Sequence, residues 1–190
     1  MDRYLIRGFI DGLLSTLGVV IGASIAVGSG WGLETGQAFH IVVITSGFGG
    51  GVANGLSNIL GAFMGEKAAI YERYRKVEKA MLKDDVLKGT KVDKQLQDKV
   101  ITSGVADGIA TIGGAMVPIA SFIFAPLFSL SAMTSMYLST GISLVVFFLL
   151  GIYIGKISKE NLILSGLKMV AFGASAAALV GLISVILPKA

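Results

Sequence analysis

Two aspartates lie inside apolar stretches: Asp11 in Gly8-Phe9-Ile10-Asp11-Gly12, and Asp107 in Gly104-Val105-Ala106-Asp107-Gly108. A carboxylate at membrane depth costs about 3 kcal/mol or more, so it faces a cavity or a partner and marks a pathway. Each lies about two turns inside its span, roughly 10 Å deep at 1.5 Å per residue. Equal depth lets the pair face one another. Two hard oxygen ligands in one place suit a divalent cation, and each can carry a proton once the ion leaves. The competing assignment pairs each Asp with Lys168, or has it cap backbone at a helix break beside Gly12 or Gly108.

Asn54 and Asn58 are four residues apart and share a helix face. Their carbonyls offer neutral oxygen ligands; as interhelical hydrogen-bond glue they would contribute about 1 kcal/mol each. Glu66, two turns further on, stands at the mouth of the same side as a gatekeeper for cations. Met64 and Met116 offer thioether sulfur, a soft ligand that favours transition metals over Ca²⁺ or Mg²⁺, or else they are packing. His40, the single histidine, is expected at the outer interface rather than as a ligand. There is no Walker loop, no HExxH and no nucleophile elbow, so enzymatic chemistry is not expected.

These groups must be held by membrane helices. The 190 residues are 54% hydrophobic with only 15% charged, and the mean hydropathy is +0.79, too little polar surface to cover a globule in water. Apolar runs long enough to cross a bilayer core of about 30 Å occur at Leu5–Val27, His40–Met64, Val100–Leu127, Met133–Ile154 and Leu162–Leu187. They are continuous rather than alternating, which favours helices over a barrel. Pro118 predicts a kink in the third. The first runs too long for a signal peptide and is kept as a mature helix.

Of the 16 Lys and Arg, 14 fall on one side of these spans, which places the N-terminus in the cytoplasm and the C-terminus outside. Trp31 and Tyr137 then mark the outer boundary, Tyr4 and Tyr153 the inner one. The net charge of +4 sits between apolar spans rather than on a folded basic face, which excludes nucleic acid as a partner. Without Cys there is no disulfide and no thiolate metal site.

The chain divides into residues 1–65 with two spans, a cytoplasmic helical hairpin at 66–99, and residues 100–190 with three spans. In the hairpin, Ile70, Tyr74, Val77 and Met81 recur on one face, and Glu72 with Lys76 forms a favourable i, i+4 pair. Gly89 is a helix stop, and Thr90 with Asp93 resembles a capping box opening a second short helix with Val92, Leu96 and Val100 as its stripe. The hairpin packs on itself or on a partner subunit, or its Glu72 and Glu78 collect cations before entry.

The Asp11 and Asp107 segments match one another, with Ser15 against Thr111 and Gly18 against Gly114. Leu60-Gly61-Ala62-Phe63-Met64-Gly65 resembles Leu150-Gly151-Ile152-Tyr153-Ile154-Gly155. Spans one and two are therefore read as repeated, in parallel, by spans three and four. Gly47, Gly51 and Gly55, with Gly18/Gly22 and Gly61/Gly65, form close-packing surfaces.

The chain resembles the vacuolar iron transporter family, which has five membrane helices and a cytoplasmic helical insert between the second and third. Asp11-Gly12-Leu13-Leu14 resembles the Asp-Gly of its first helix. Ala53-Asn54-Gly55-Leu56-Ser57-Asn58, followed by Gly65-Glu66, is similar to its second, and Gly113-Gly114-Ala115-Met116-Val117-Pro118 to its third. The resemblance implies export of Fe²⁺ or Mn²⁺ from the cytosol in exchange for protons by a homodimer with its pathway at the subunit interface, with Asp11 and Glu66 as site residues. Two departures stand out: the family's Met falls on Asn58 when the Ser is aligned, and the insert lacks a dense Glu cluster. Asp107 has no counterpart in the family pattern.

The expectation is therefore an all-α, multi-pass plasma-membrane protein that binds metal through Asp11, Asp107, Asn54, Asn58, Glu66, Met64 and Met116, with no resident cofactor. The rivals are a transporter of another cation or small solute, and a membrane scaffold whose hairpin recruits a cytosolic partner.

Overall fold

The computed structural model describes residues 3–28, 37–81 and 89–186. Among these there are five α-helices and no strand: α1 Arg3–Gly28, α2 Gln37–Met81, α3 Lys91–Phe124, α4 Ala132–Ser158 and α5 Leu162–Ile186. All five are long and apolar enough to cross a membrane. Large apolar side chains cover the outside, Leu127, Ile163 and Ile186 each being more than 70% exposed. Water would not tolerate so continuous an apolar surface, whereas hydrocarbon does. The protein is a multi-pass membrane protein. Trp31 and Lys189 lie outside the described residues.

Glycine sets which helices touch. A Cβ on Gly12 would lie 1.8 Å from the Thr111 carbonyl oxygen, and one on Gly114 2.1 Å from that of Phe9. The α1 and α3 backbones thus rest directly on each other and run parallel. Against α3, α2 runs the other way: Gly47 meets Ile119, Gly51 meets Ala115, and Gly55 meets Ile112 and Gly108. Those three glycines form the close-packing face expected of them. Gly18 and Gly22 lie at ordinary contact distance from Val180 of α5, while Gly61 and Gly65 face open space. The repeat-matched glycines meet different neighbours. Gly8 abuts the Asp107 carbonyl, but its counterpart Gly104 abuts that of Ile59 on α2.

Two apolar clusters fill the bundle. Leu13, Leu17, Ile21 and Phe147 join α1 to α4 and α5. At the end remote from Arg3, the fully buried Val20, Phe39, Val43 and Phe122 close α1, α2 and α3 together. His40 lies at that closed end, at the start of the second span, and faces into the bundle. It is only 6% exposed, its Nε2 lies 3.3 Å from Ser135 Oγ, and its ring packs against Phe39 and Phe122.

Several boundaries differ from expectation for local reasons. The third span ends at Phe124 rather than Leu127, because Pro126 has no N–H to continue the ladder. The short helix expected after Thr90 is the first part of α3, since nothing between Lys91 and Val100 breaks it. Its start is as expected: Thr90 Oγ1 accepts the Asp93 N–H at 3.3 Å. Gly89, with φ +77°, precedes α3, and its N–H is held by Asp93.

At 45 residues, α2 is roughly 67 Å long at 1.5 Å per residue, more than twice a bilayer core of about 30 Å. Its second half therefore stands clear of the membrane and packs Ile70 and Tyr74 against Leu96 and Val100 of α3. Val77, Met81 and Val92 are left exposed, so the hairpin's apolar stripe is covered only near the membrane. Glu72 and Lys76 pair at 2.7 Å, and that contact draws the Glu72 carboxyl below its usual value.

Tyr74 donates its hydroxyl to Asp93 Oδ1 at 3.0 Å. Loss of water around the ring, and then the Asp93 carboxylate, hold its phenol above the ordinary 10.0. A raised value stabilises the hairpin below the unfolded pKa, and this contribution is lost as pH rises through the folded one. Tyr74→Phe should cost about 1 kcal/mol at neutral pH and remove that alkaline loss, as thermal melts at pH 7 and above pH 10 would register.

Candidate metal centre

Asp11 projects from α1 toward α2. Its Oδ2 accepts Nδ2–H of Asn54 at 3.0 Å and Nδ2–H of Asn58 at 2.7 Å. The spacing of four explains why both amides reach one oxygen. Asn58 also donates to Thr111 Oγ1 at 2.8 Å, and Thr111 in turn donates to the Asp107 carbonyl at 2.8 Å. Asn54 donates to Ser15 Oγ at 3.2 Å. The asparagines therefore tie α1, α2 and α3 together around one half-buried carboxylate. With both NH₂ groups engaged, the amide carbonyls remain available as acceptors.

Asp107 is fully buried, and its Oδ2 forms an ion pair with Arg7. Its Oδ1 has no hydrogen-bond partner and lies over Gly8, where a Cβ would come within 2.8 Å. The two aspartates thus engage different groups, Asp11 the asparagines and Asp107 an arginine. Neither pairs with Lys168, whose Nζ lies 3.6 Å from Glu160. Glu66 is held by Arg3 at 2.5 Å, and Arg3 also donates to the Tyr4 hydroxyl at 2.6 Å. Both guanidinium groups lie over the Tyr4 ring, so this tyrosine is buried under them instead of sitting in a lipid-facing belt. Arg3, Tyr4, Arg7, Gly61, Ala62, Gly65 and Glu66 line a cleft of about 420 Å³ at the charged end of the bundle.

Met64 and Met116 are 67% and 38% exposed. Met64 lies six residues beyond Asn58, about 240° round the helix, and Met116 five beyond Thr111, about 140° round. Both are therefore on other faces than the polar cluster. Among the described residues no three His, Cys, Asp or Glu side chains come together. Of the acids near this end of the bundle, Glu66 and Asp107 are each neutralised by an arginine. Asp11 has no cationic partner among the described residues.

Sequence reasoning missed Arg7, Thr111 and Ser15 as members of the cluster. Arg7, one of the 14 basic residues on that side of the spans, precedes Asp11 by four residues and so shares its face. Thr111 and Ser15 were noticed as repeat matches, and both are tied to the asparagines.

An uncharacterized protein of Methanocaldococcus jannaschii is 46% identical to this chain over 178 residues, covering 93% of the chain and 84% of the relative. The profile of the VIT family matches residues 68–184, from the C-terminal third of α2 into the last turn of α5. With five membrane helices and a polar cluster inside them, the chain belongs to the VIT family, a family of transporters.

Proposed function

We propose that the protein exports divalent metal, Fe²⁺ or Mn²⁺, from the cytosol in exchange for protons. The observation that carries this reading is the uncompensated Asp11 carboxylate, flanked by two amides that can turn from donor to acceptor. An entering cation meets Glu66 at the cleft, passes the two arginines and takes Asp11 as its charged ligand. The carbonyls of Asn54 and Asn58 complete its oxygen shell. On the return, a proton replaces the metal on Asp11. Asp107, held by Arg7, stands beside this site as a second acid of the pathway.

The orientation follows from Lys and Arg: the cleft and hairpin face the cytoplasm of a plasma membrane, the C-terminus lies outside, and helices 1–2 and 3–4 descend from a parallel repeat. A homodimer in the bilayer, as the family resemblance implies, would cover the outward faces of Met64, Gly61 and Gly65 and could bring that sulfur toward the path.

The outward position of both methionines favours a second reading, a carrier of a harder cation such as Ca²⁺. Proteoliposomes with an imposed pH gradient separate the two. Mn²⁺ uptake should follow the gradient and resist an equal concentration of Ca²⁺ or Na⁺. Uptake indifferent to the gradient removes proton coupling, and suppression by Ca²⁺ assigns the harder ion.

A further inference from the structure

Arg7 occupies an unusual position between two acids. Its guanidinium reaches across to the buried Asp107, yet its side chain is 57% exposed and borders the cytoplasmic cleft. On α1 itself it precedes Asp11 by one turn, and residues four apart on a helix have Cβ atoms about 5–6 Å from each other. Asp107 is fully enclosed, and its free Oδ1 is covered by Gly8, so the arginine is the single charge available to it among the described residues. Asp11 accepts its two amides on Oδ2 alone; Oδ1 receives no hydrogen bond from the described residues. One cation thus stands within a side chain's swing of two carboxylates, one filled and one open.

We infer that Arg7 is a tethered cation that competes with cargo: parked on Asp107 it leaves Asp11 open to metal, and swung to Asp11 it expels the metal and seals the path. The inference rests on Asp11 being the cargo site. It assigns Asp107 the role of a parking site rather than a ligand. Two features suit the exchange. A guanidinium stays charged in either position, so the swing carries the same unit charge from one acid to the other, and the buried Asp107 carboxylate it leaves behind draws it back, which makes the parked position the resting one. The cleft beside it gives the side chain room to move without parting the α1–α3 contact.

Arg7→Gln alone would strand a buried carboxylate, so the test uses Asp107→Asn and the double variant Arg7→Gln/Asp107→Asn, both free of that charge. Binding of Mn²⁺ to purified protein is read by electron paramagnetic resonance of the free ion. Asp107→Asn removes the parking site and turns Arg7 onto Asp11, so apparent Mn²⁺ affinity should fall by about tenfold or more through competition by a local charge. Removing the arginine as well should restore affinity to about the wild-type level or above it. An Asp107→Asn protein that binds like wild type overturns the inference. So does a double variant as weak as the single one, which would make Asp107 itself a ligand. Asp11→Asn is the control for the underlying site: Mn²⁺ binding that survives it refutes the cargo assignment instead.

Discussion

Vesicles carrying Asp11→Asn should take up Mn²⁺ no faster than protein-free vesicles, while the purified variant keeps the elution profile and helicity of the wild type. The substitution is nearly isosteric, and the side-chain carbonyl can still accept the amides of Asn54 and Asn58. What disappears is the negative charge. Two unit charges at 4 Å interact by about 4 kcal/mol at an effective dielectric of 20, and each 1.4 kcal/mol is about tenfold in affinity. A divalent ion therefore loses at least two orders of magnitude, and no neighbour replaces the charge, because Glu66 and Asp107 already hold arginines. Asp11→Glu, which keeps the charge one methylene further out, should retain a reduced rate. Wild-type uptake by Asp11→Asn would remove this residue from the pathway.

The second large effect concerns the α1–α3 seam. Gly12→Ala places a methyl 1.8 Å from the Thr111 carbonyl oxygen and 2.9 Å from the Ala115 nitrogen. These are backbone atoms, which cannot rotate aside, so the helices must part. Parting would also draw Asp11 away from the Asn58–Thr111 link. Overpacking usually costs about 1–3 kcal/mol where side chains can yield, and this site should exceed that range. Gly114→Ala, against Phe9, should behave alike. Gly113→Ala, with open space at its Cβ inside α3, should be neutral or stabilising by up to about 1 kcal/mol. Melting temperatures in one detergent compare the three, and equal values for Gly113→Ala and Gly114→Ala would contradict the packing described here.

The spans were legible because hydrocarbon thickness and the segregation of Lys and Arg act on each stretch of chain separately. Thr90 with Asp93 and Glu72 with Lys76 were legible for a similar reason, since both contacts lie within one turn of helix. Half of the polar cluster could be read as well: the spacing of Asn54 and Asn58 places them on one face, and that face meets Asp11. The Arg7–Asp107 pair joins residues 100 positions apart, and no local pattern announces such a contact. Arg7 had a sufficient explanation as a topology signal, and Lys168 was a plausible partner by span alone until Glu160 proved to hold it. The place of His40 near a span end is local and legible, whereas its enclosure by Phe39, Phe122 and Ser135 depends on contacts between helices and is not.

The two ends of the bundle are fastened by different physics. Arg3–Glu66 and Arg7–Asp107 clasp the cleft end, whereas Val20, Phe39, Val43 and Phe122 shut the remote end mainly by apolar contact. Screening by dissolved salt weakens the first kind of closure where it is exposed, and cooling weakens the second. Ionic strength and temperature are therefore separate handles on the two ends of the bundle, one acting on its ion pairs and the other on its apolar closure.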